Sequence, residues 1–102
     1  MAAELIWTHE ALDDVDAIAQ FIARDSPHHA RRVVEAMFEL SDSIGEQPMI
    51  GRVVPELQKP KMRERFLYSY RVIYDIGSEQ IAVVAVIHGR RLLESIAERF
   101  EP

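Results

Sequence analysis

Three polar side chains near the end of the chain could carry out chemistry together: His88, Arg90 and Arg91, with Gly89 between them in the sequence HGRR. They directly follow an unbroken apolar run, Ile81 to Ile87, whose β-branched residues are typical of a strand buried on both faces. A histidine can give or take a proton near neutral pH, and arginines are permanent cations. Polar residues at the end of a rigid strand therefore indicate a site.

A second strand should position this corner. Tyr70 to Ile76 alternates, with Tyr70, Val72, Tyr74 and Ile76 on one face and Arg71, Ile73 and Asp75 on the other. Residues 77–80, beginning with Gly77, supply a turn between the two strands. We expect a hairpin whose second strand ends at the basic corner.

The N-terminal half predicts one short strand and two helices. Glu4 to Trp7 forms the strand, and Thr8 is a suitable N-cap for a helix that ends near Arg24. Ser26 and Pro27 predict the N-cap and first position of a second helix, which Gly45 should stop. Such closely spaced helices should form an antiparallel hairpin.

The remaining segments complete an α+β pattern. Residues 48–60 are irregular, with a short strand at 52–54, and Met62 to Leu67 is an amphipathic strand. Apolar residues from Leu92 to Phe100 fit a short terminal helix. We predict one domain, residues 1–102, with an N-terminal strand and an antiparallel αα-hairpin packed on a three- to four-stranded antiparallel sheet.

Composition and charge narrow the class of protein. The chain has no cysteine, no apolar run long enough for a membrane span and no signal peptide, so we expect a cytoplasmic protein. Its net charge is −5, but residues 59–91 carry seven basic residues against three acids. The adjacent His28 and His29 point in different directions on a helix, and we expect neither a metal nor a cofactor.

Several motifs, taken in order, resemble the RelE/ParE superfamily of bacterial toxins from type II toxin–antitoxin pairs. They cover nearly the whole chain: Trp7-Thr8 with Ala11 and Asp14, residues 26–30 (SPHHA), Pro48, Gly51, residues 54–57 (VPEL), Arg63-Glu64, residues 70–74 (YRVIY) and residues 88–91 (HGRR). The resemblance implies a toxin that is neutralised by an antitoxin encoded beside it, with operator DNA bound only through the complex.

Two activities compete within this superfamily. RelE-like members cleave messenger RNA on the ribosome, whereas ParE-like members poison DNA gyrase, have no established nuclease chemistry and serve in plasmid stabilisation. For the nuclease alternative, the resemblance implies a catalytic set of Arg71, His88 and Arg90. The tyrosine expected in the C-terminal segment falls about at Ile96, and the net charge of −5 does not suit docking on ribosomal RNA.

We therefore expect a ParE-like inhibitor of DNA gyrase without catalytic residues, held inactive by a ParD-like antitoxin. Its partner-binding residues should be Arg90, Arg91, Leu93, Ile96 and Phe100, an apolar stripe beside the basic corner. A degenerate member that survives as a co-repressor subunit is a further alternative.

Structural interpretations of the same residues also stay open. Arg71 could simply pair with an acid such as Glu64, and His88 could hydrogen-bond its own turn. Arg90 and Arg91 could hold the last helix, which could itself be packed permanently on the sheet. Tyr70 and Tyr74 are expected to pack in the core.

Overall fold

The computed structural model describes residues 4–91 and 93–100. Within these residues the elements follow in the order β1 (Glu4–Trp7), α1 (His9–Ala23), α2 (Pro27–Glu46), a 3-10 turn (Pro48–Ile50), β2 (Arg52–Val53), β3 (Met62–Leu67), β4 (Tyr70–Ile76), β5 (Gln80–His88) and a 3-10 terminal segment (Leu93–Phe100). The predicted α+β class is confirmed. No helix among the described residues is long and apolar enough to cross a membrane.

Both helices begin where their capping residues predict. The Thr8 hydroxyl accepts a hydrogen bond of 3.2 Å from the Ala11 N–H, and the Ser26 hydroxyl accepts one of 3.1 Å from the His29 N–H. The prediction that Gly45 stops α2 was wrong. Gly45 is buried inside the helix, which continues to Glu46 and ends before Pro48, a residue that cannot extend it.

The sheet has five strands in the order β1-β5-β4-β3-β2. This is more than the three to four antiparallel strands predicted, because β1 joins the same sheet by pairing parallel to β5. Strands β2 to β5 are antiparallel, and β4 is paired along its whole length. The central position of β5, between β1 and β4, explains why its sequence is apolar without a break.

A β-bulge changes the side-chain pattern along β5. Ile73 of β4 faces Ala85 and the next residue, Tyr74, faces Val83, so Val84 has no partner in the ladder. Ile81 and Val83 therefore face the helices before the bulge, and Val86 faces them after it. The bulge thus sets the direction in which every later side chain of β5 points.

The sheet separates two cores. On one face, α1 and α2 pack on β4 and β5 around buried residues that include Met37, Val72 and Tyr74. On the other face, the terminal segment and Val54 cover Ile73, Ala85 and Ile87. The alternation predicted for β4 is therefore confirmed, with both of its faces buried.

The terminal helix is of the 3-10 type and is interrupted at Ile96, where φ is −130° and ψ is 27°. Leu93 and Ile96, three residues apart, share the face that packs on the sheet, as the 3-10 period requires. Leu92, the predicted start of this helix, lies outside the described residues.

Candidate functional site

A network of charged side chains lies on the face of the sheet opposite to α1 and α2. The Arg71 guanidinium donates to Glu64 (Nε to Oε1, 2.7 Å) and, through its two terminal nitrogens, to both oxygens of Glu56 at 2.7 and 2.8 Å. Arg52 donates from Nε to the other Glu64 oxygen at 2.6 Å. Two cations and two carboxylates therefore neutralise each other.

Adjacent antiparallel strands create this network. Arg71 lies in β4, Glu64 in β3 and Arg52 in β2, where Arg52 is directly opposite Glu64. The Arg71 side chain is 5% exposed and the Glu64 side chain 0%, whereas that of Glu56 is 45% exposed. The hydrogen bond with Glu56 is the main cause that raises the pKa of Arg71, and the same bond lowers the pKa of Glu56. Arg71 therefore stays charged and fully engaged.

A close approach between two backbone segments holds β2 in register with this network. The buried Tyr74 hydroxyl donates to the Pro48 carbonyl at 2.6 Å and accepts from the Gly51 N–H at 3.1 Å. A Cβ atom at Gly51 would collide with that hydroxyl and lie 2.8 Å from the Glu64 carbonyl oxygen. Gly51 is therefore required by packing.

The basic corner forms a tight turn after β5. The Arg90 N–H donates to Nδ1 of His88 at 3.1 Å, and the Arg91 N–H donates to the His88 carbonyl at 2.9 Å. The Arg91 side chain donates to Ser95 at 3.1 Å, which ties the corner to the terminal segment. His88 therefore hydrogen-bonds its own turn, and Arg91 helps to hold the terminal segment, as the structural interpretations of these residues predicted.

The structure does not bring the alternative catalytic set together. The His88 ring lies edge-on to the Tyr70 ring with centroids 6.0 Å apart, on the face that packs against α1. Arg71 follows Tyr70 in β4 and points to the opposite face, where Glu64 and Glu56 hold it. Arg90 is exposed in the turn that follows β5.

The predicted partner-binding residues are divided between core and surface. Leu93 is 5% and Ile96 4% exposed, so neither forms an exposed stripe while the terminal segment lies on the sheet. Phe100 is half-buried and lines, with Leu57 and Ala97, a groove of about 380 Å³. Arg90 and Arg91 are exposed. Partner binding through Leu93 and Ile96 stays a prediction, and it requires the segment to move.

An ion pair that the sequence analysis missed holds the terminal segment in place. Arg99 donates to both carboxylate oxygens of Asp14 at 2.7 and 3.0 Å and to the Val84 carbonyl at 3.3 Å. Asp14 also accepts from the Val86 N–H at 2.9 Å. β1 pairs with β5 only as far as Val83, so Asp14 and Arg99 satisfy the strand edge beyond it.

The chain was compared with models of known protein families and with curated proteins. Residues 5–93 match the family model described as ParE toxin of type II toxin–antitoxin system, parDE. The chain belongs to the ParE toxin family. A curated relative, Toxin RelE2 of Caulobacter vibrioides, is 31% identical over 91 residues, which cover 88% of this chain and 99% of the relative.

Solved structures agree with this assignment at the level of the fold. The chromosomal ParDE toxin–antitoxin system from P. aeruginosa superposes with a TM-score of 0.71 at 20% identity, covering 85% of this chain and 96% of that one. A mutant of the E. coli toxin RelE in the free state gives a TM-score of 0.66 at 19% identity, covering 98% and 92%. On the family model and the relative of 31% identity, this ParE-family chain is a type II toxin of the ParE/RelE superfamily.

Proposed function

We propose that this ParE-family toxin inhibits DNA gyrase without catalysing a reaction, and that a ParD-like antitoxin holds it inactive. The observation that carries the proposal is the closure of the Arg71 network. A nuclease of this fold needs cations free to stabilise a pentacoordinate phosphorane and a proton donor beside them. Here Arg71 is held by Glu64 and Glu56, and His88 lies on the opposite face.

The C-terminal segment supports the same conclusion. Ile96, about where the nuclease relatives carry a tyrosine, is buried against the sheet and can transfer no proton. The chain has three tyrosines, of which the last is Tyr74 in the core. Inhibition by binding, in contrast, needs only a stable scaffold and an exposed contact surface.

An antitoxin partner is proposed from the solved relatives. One of them is a ParDE toxin–antitoxin system and another is the RelBE2 toxin–antitoxin complex from Mycobacterium tuberculosis, with a TM-score of 0.64 at 16% identity. An apolar groove of about 370 Å³ between the two helices, lined by Ala19, Ala23, Ala30 and Val34, is suited to an amphipathic segment of such a partner.

Ribosome-dependent cleavage of messenger RNA is the second candidate. It is favoured by one specific observation, the 31% identity to a relative named Toxin RelE2. On this alternative Arg71, His88 and Arg90 would be the catalytic residues, and Arg71 would first have to leave Glu56.

Two assays run side by side test the proposal. The purified toxin is added to a DNA gyrase supercoiling and cleavage reaction, and separately to in vitro translation of a reporter messenger RNA. We expect inhibited supercoiling or trapped cleaved DNA, with intact messenger. Messenger cut only when ribosomes are present, with gyrase unaffected, would overturn the proposal in favour of the nuclease.

A further inference from the structure

The β3–β4 hairpin has an unusual residue at its tip. Tyr68 is the first of two turn residues, since Leu67 and Tyr70 are already paired, and its φ is +53°. Bulky side chains rarely adopt this left-handed conformation, and short hairpin turns favour glycine or asparagine there. The Tyr68 side chain is 67% exposed, so packing in the core does not explain why it is present.

A second exposed aromatic ring lies at the end of β3. Phe66 is 53% exposed, and the Arg52 guanidinium lies 5.2 Å from the centre of its ring, a cation–π contact. Glu64 fixes Arg52 in this position through its hydrogen bond of 2.6 Å. The ring and the cation are therefore presented together in a fixed geometry.

The turn after β5, which carries Arg90, packs against the turn of the β3–β4 hairpin. The Gly89 N–H donates to the Ser69 carbonyl at 2.7 Å, and a Cβ atom at Gly89 would lie 3.3 Å from that oxygen. This contact holds the backbone next to Arg90, an exposed residue, beside the hairpin turn. We call Arg52, Phe66, Tyr68 and Arg90 the hairpin-tip surface.

The charge of this surface defines what it could bind. The carboxylates of Glu64 and Glu56 pair with Arg52 and Arg71, so these four groups are neutral together. The exposed Arg90 adds a further cation, which makes the surface positive overall. Exposed tyrosine and arginine side chains held in fixed positions are the residues that most often dominate binding energy in protein interfaces. The net charge of −5 disfavours a nucleic acid as the occupant.

We propose that the hairpin-tip surface is where this toxin contacts its protein target, by placing Tyr68 against an acidic surface of that protein. This inference rests on the proposed function only in that the target is a protein. The retention of a strained, exposed tyrosine is then explained by binding, because strain of this kind persists where function requires it.

The decisive variant is Tyr68→Asn, because asparagine tolerates the left-handed backbone. We expect this variant to unfold at a higher urea concentration than the wild type and to lose inhibition of gyrase by roughly tenfold or more. The matched control is Gln58→Asn, since Gln58 also has a φ of +53° but lies in the β2–β3 loop. It should gain stability without losing inhibition.

Growth arrest after expression without antitoxin provides a readout that does not depend on gyrase. If the wild type arrests growth but leaves gyrase active, the proposed function fails, and Tyr68→Asn still tests this inference through growth. A stable Tyr68→Asn protein that arrests growth like the wild type would overturn the inference. So would a variant that still arrests growth but escapes neutralisation by a co-expressed ParD-like antitoxin.

Reversing one charge tests the nature of the partner. Arg90→Glu should weaken inhibition by roughly tenfold while leaving the urea midpoint unchanged, because the Arg90 side chain is exposed. Unaltered inhibition by this variant would contradict the acidic partner. Binding of a single-stranded oligonucleotide by the wild type, lost in Tyr68→Asn, would show that the surface serves a nucleic acid instead.

Discussion

Replacing Glu64 by glutamine should destabilise this toxin strongly, although it changes few atoms. The substitution removes a negative charge from a site where the Glu64 side chain is 0% exposed and the Arg71 side chain only 5%. Arg71 would then remain buried with Glu56 as its one carboxylate partner, and Glu56 is 45% exposed. The cost comes from a buried guanidinium that loses its best-shielded counter-charge.

The magnitude follows from measured effects of breaking buried ion pairs, which are about 3–5 kcal/mol. We expect the lower end, about 3 kcal/mol, because Glu56 still holds Arg71 and the half-exposed Arg52 returns to solvent. A small domain is stable by about 5–15 kcal/mol, so this is a large fraction of the total. The corresponding fall in melting temperature is roughly 12–24 °C.

Urea denaturation followed by far-ultraviolet circular dichroism measures the effect. The matched control is Glu56→Gln, which removes the partly exposed carboxylate and should cost about 1 kcal/mol or less because solvent screens that contact. If Glu64→Gln lost no more stability than Glu56→Gln, the buried network would not stabilise the fold in the way described. Arg71 would then be free to leave its two carboxylate partners.

Three further predictions concern other contacts of the structure. Asp14→Asn should lower the free energy of unfolding by about 2–3 kcal/mol, because the Arg99 guanidinium loses the carboxylate that it binds. It should also speed amide hydrogen exchange in the terminal segment, and unchanged exchange would contradict the role of this ion pair. Gly51→Ala should lower the free energy of unfolding, measured in urea, by about 2 kcal/mol or more, because its Cβ would collide with the Tyr74 hydroxyl. A variant as stable as the wild type would refute that packing. The pKa of Glu56 is lowered by its hydrogen bonds with Arg71, so its stabilising contribution is present above the ordinary pKa of glutamate and is lost as the pH falls through the depressed value. Urea midpoints measured against pH should therefore decline less steeply in acid for Glu56→Gln than for the wild type, and parallel curves would argue against this linkage.

Much of the fold could be predicted from local sequence because its signals act over a few residues. Thr8 and Ser26 cap their helices through hydrogen bonds to residues three positions ahead, a contact that any chain with this local sequence can make. The alternation along β4 likewise depends only on the two-residue period of a strand. The motifs that resemble the RelE/ParE superfamily extend over these same segments, and the family assignment agrees with them.

The parts that could not be predicted depend on contacts between distant segments. The pairing of β1 with β5 joins residues more than seventy positions apart, and the β-bulge at Val84 appears only as a shift in register. Nothing local indicates that Asp14 would meet Arg99 across that open strand edge.

The sequence by itself determined the class of fold, the ends of most elements and the family, since these depend on periodicity, capping and the order of motifs. The tertiary structure alone decided what the candidate residues are free to do. It places Arg71 between two carboxylates, buries Leu93 and Ile96 against the sheet, and leaves Tyr68 exposed at a strained turn. The physical reason is that the availability of a side chain depends on burial and counter-charges, which are set by residues far away in the chain.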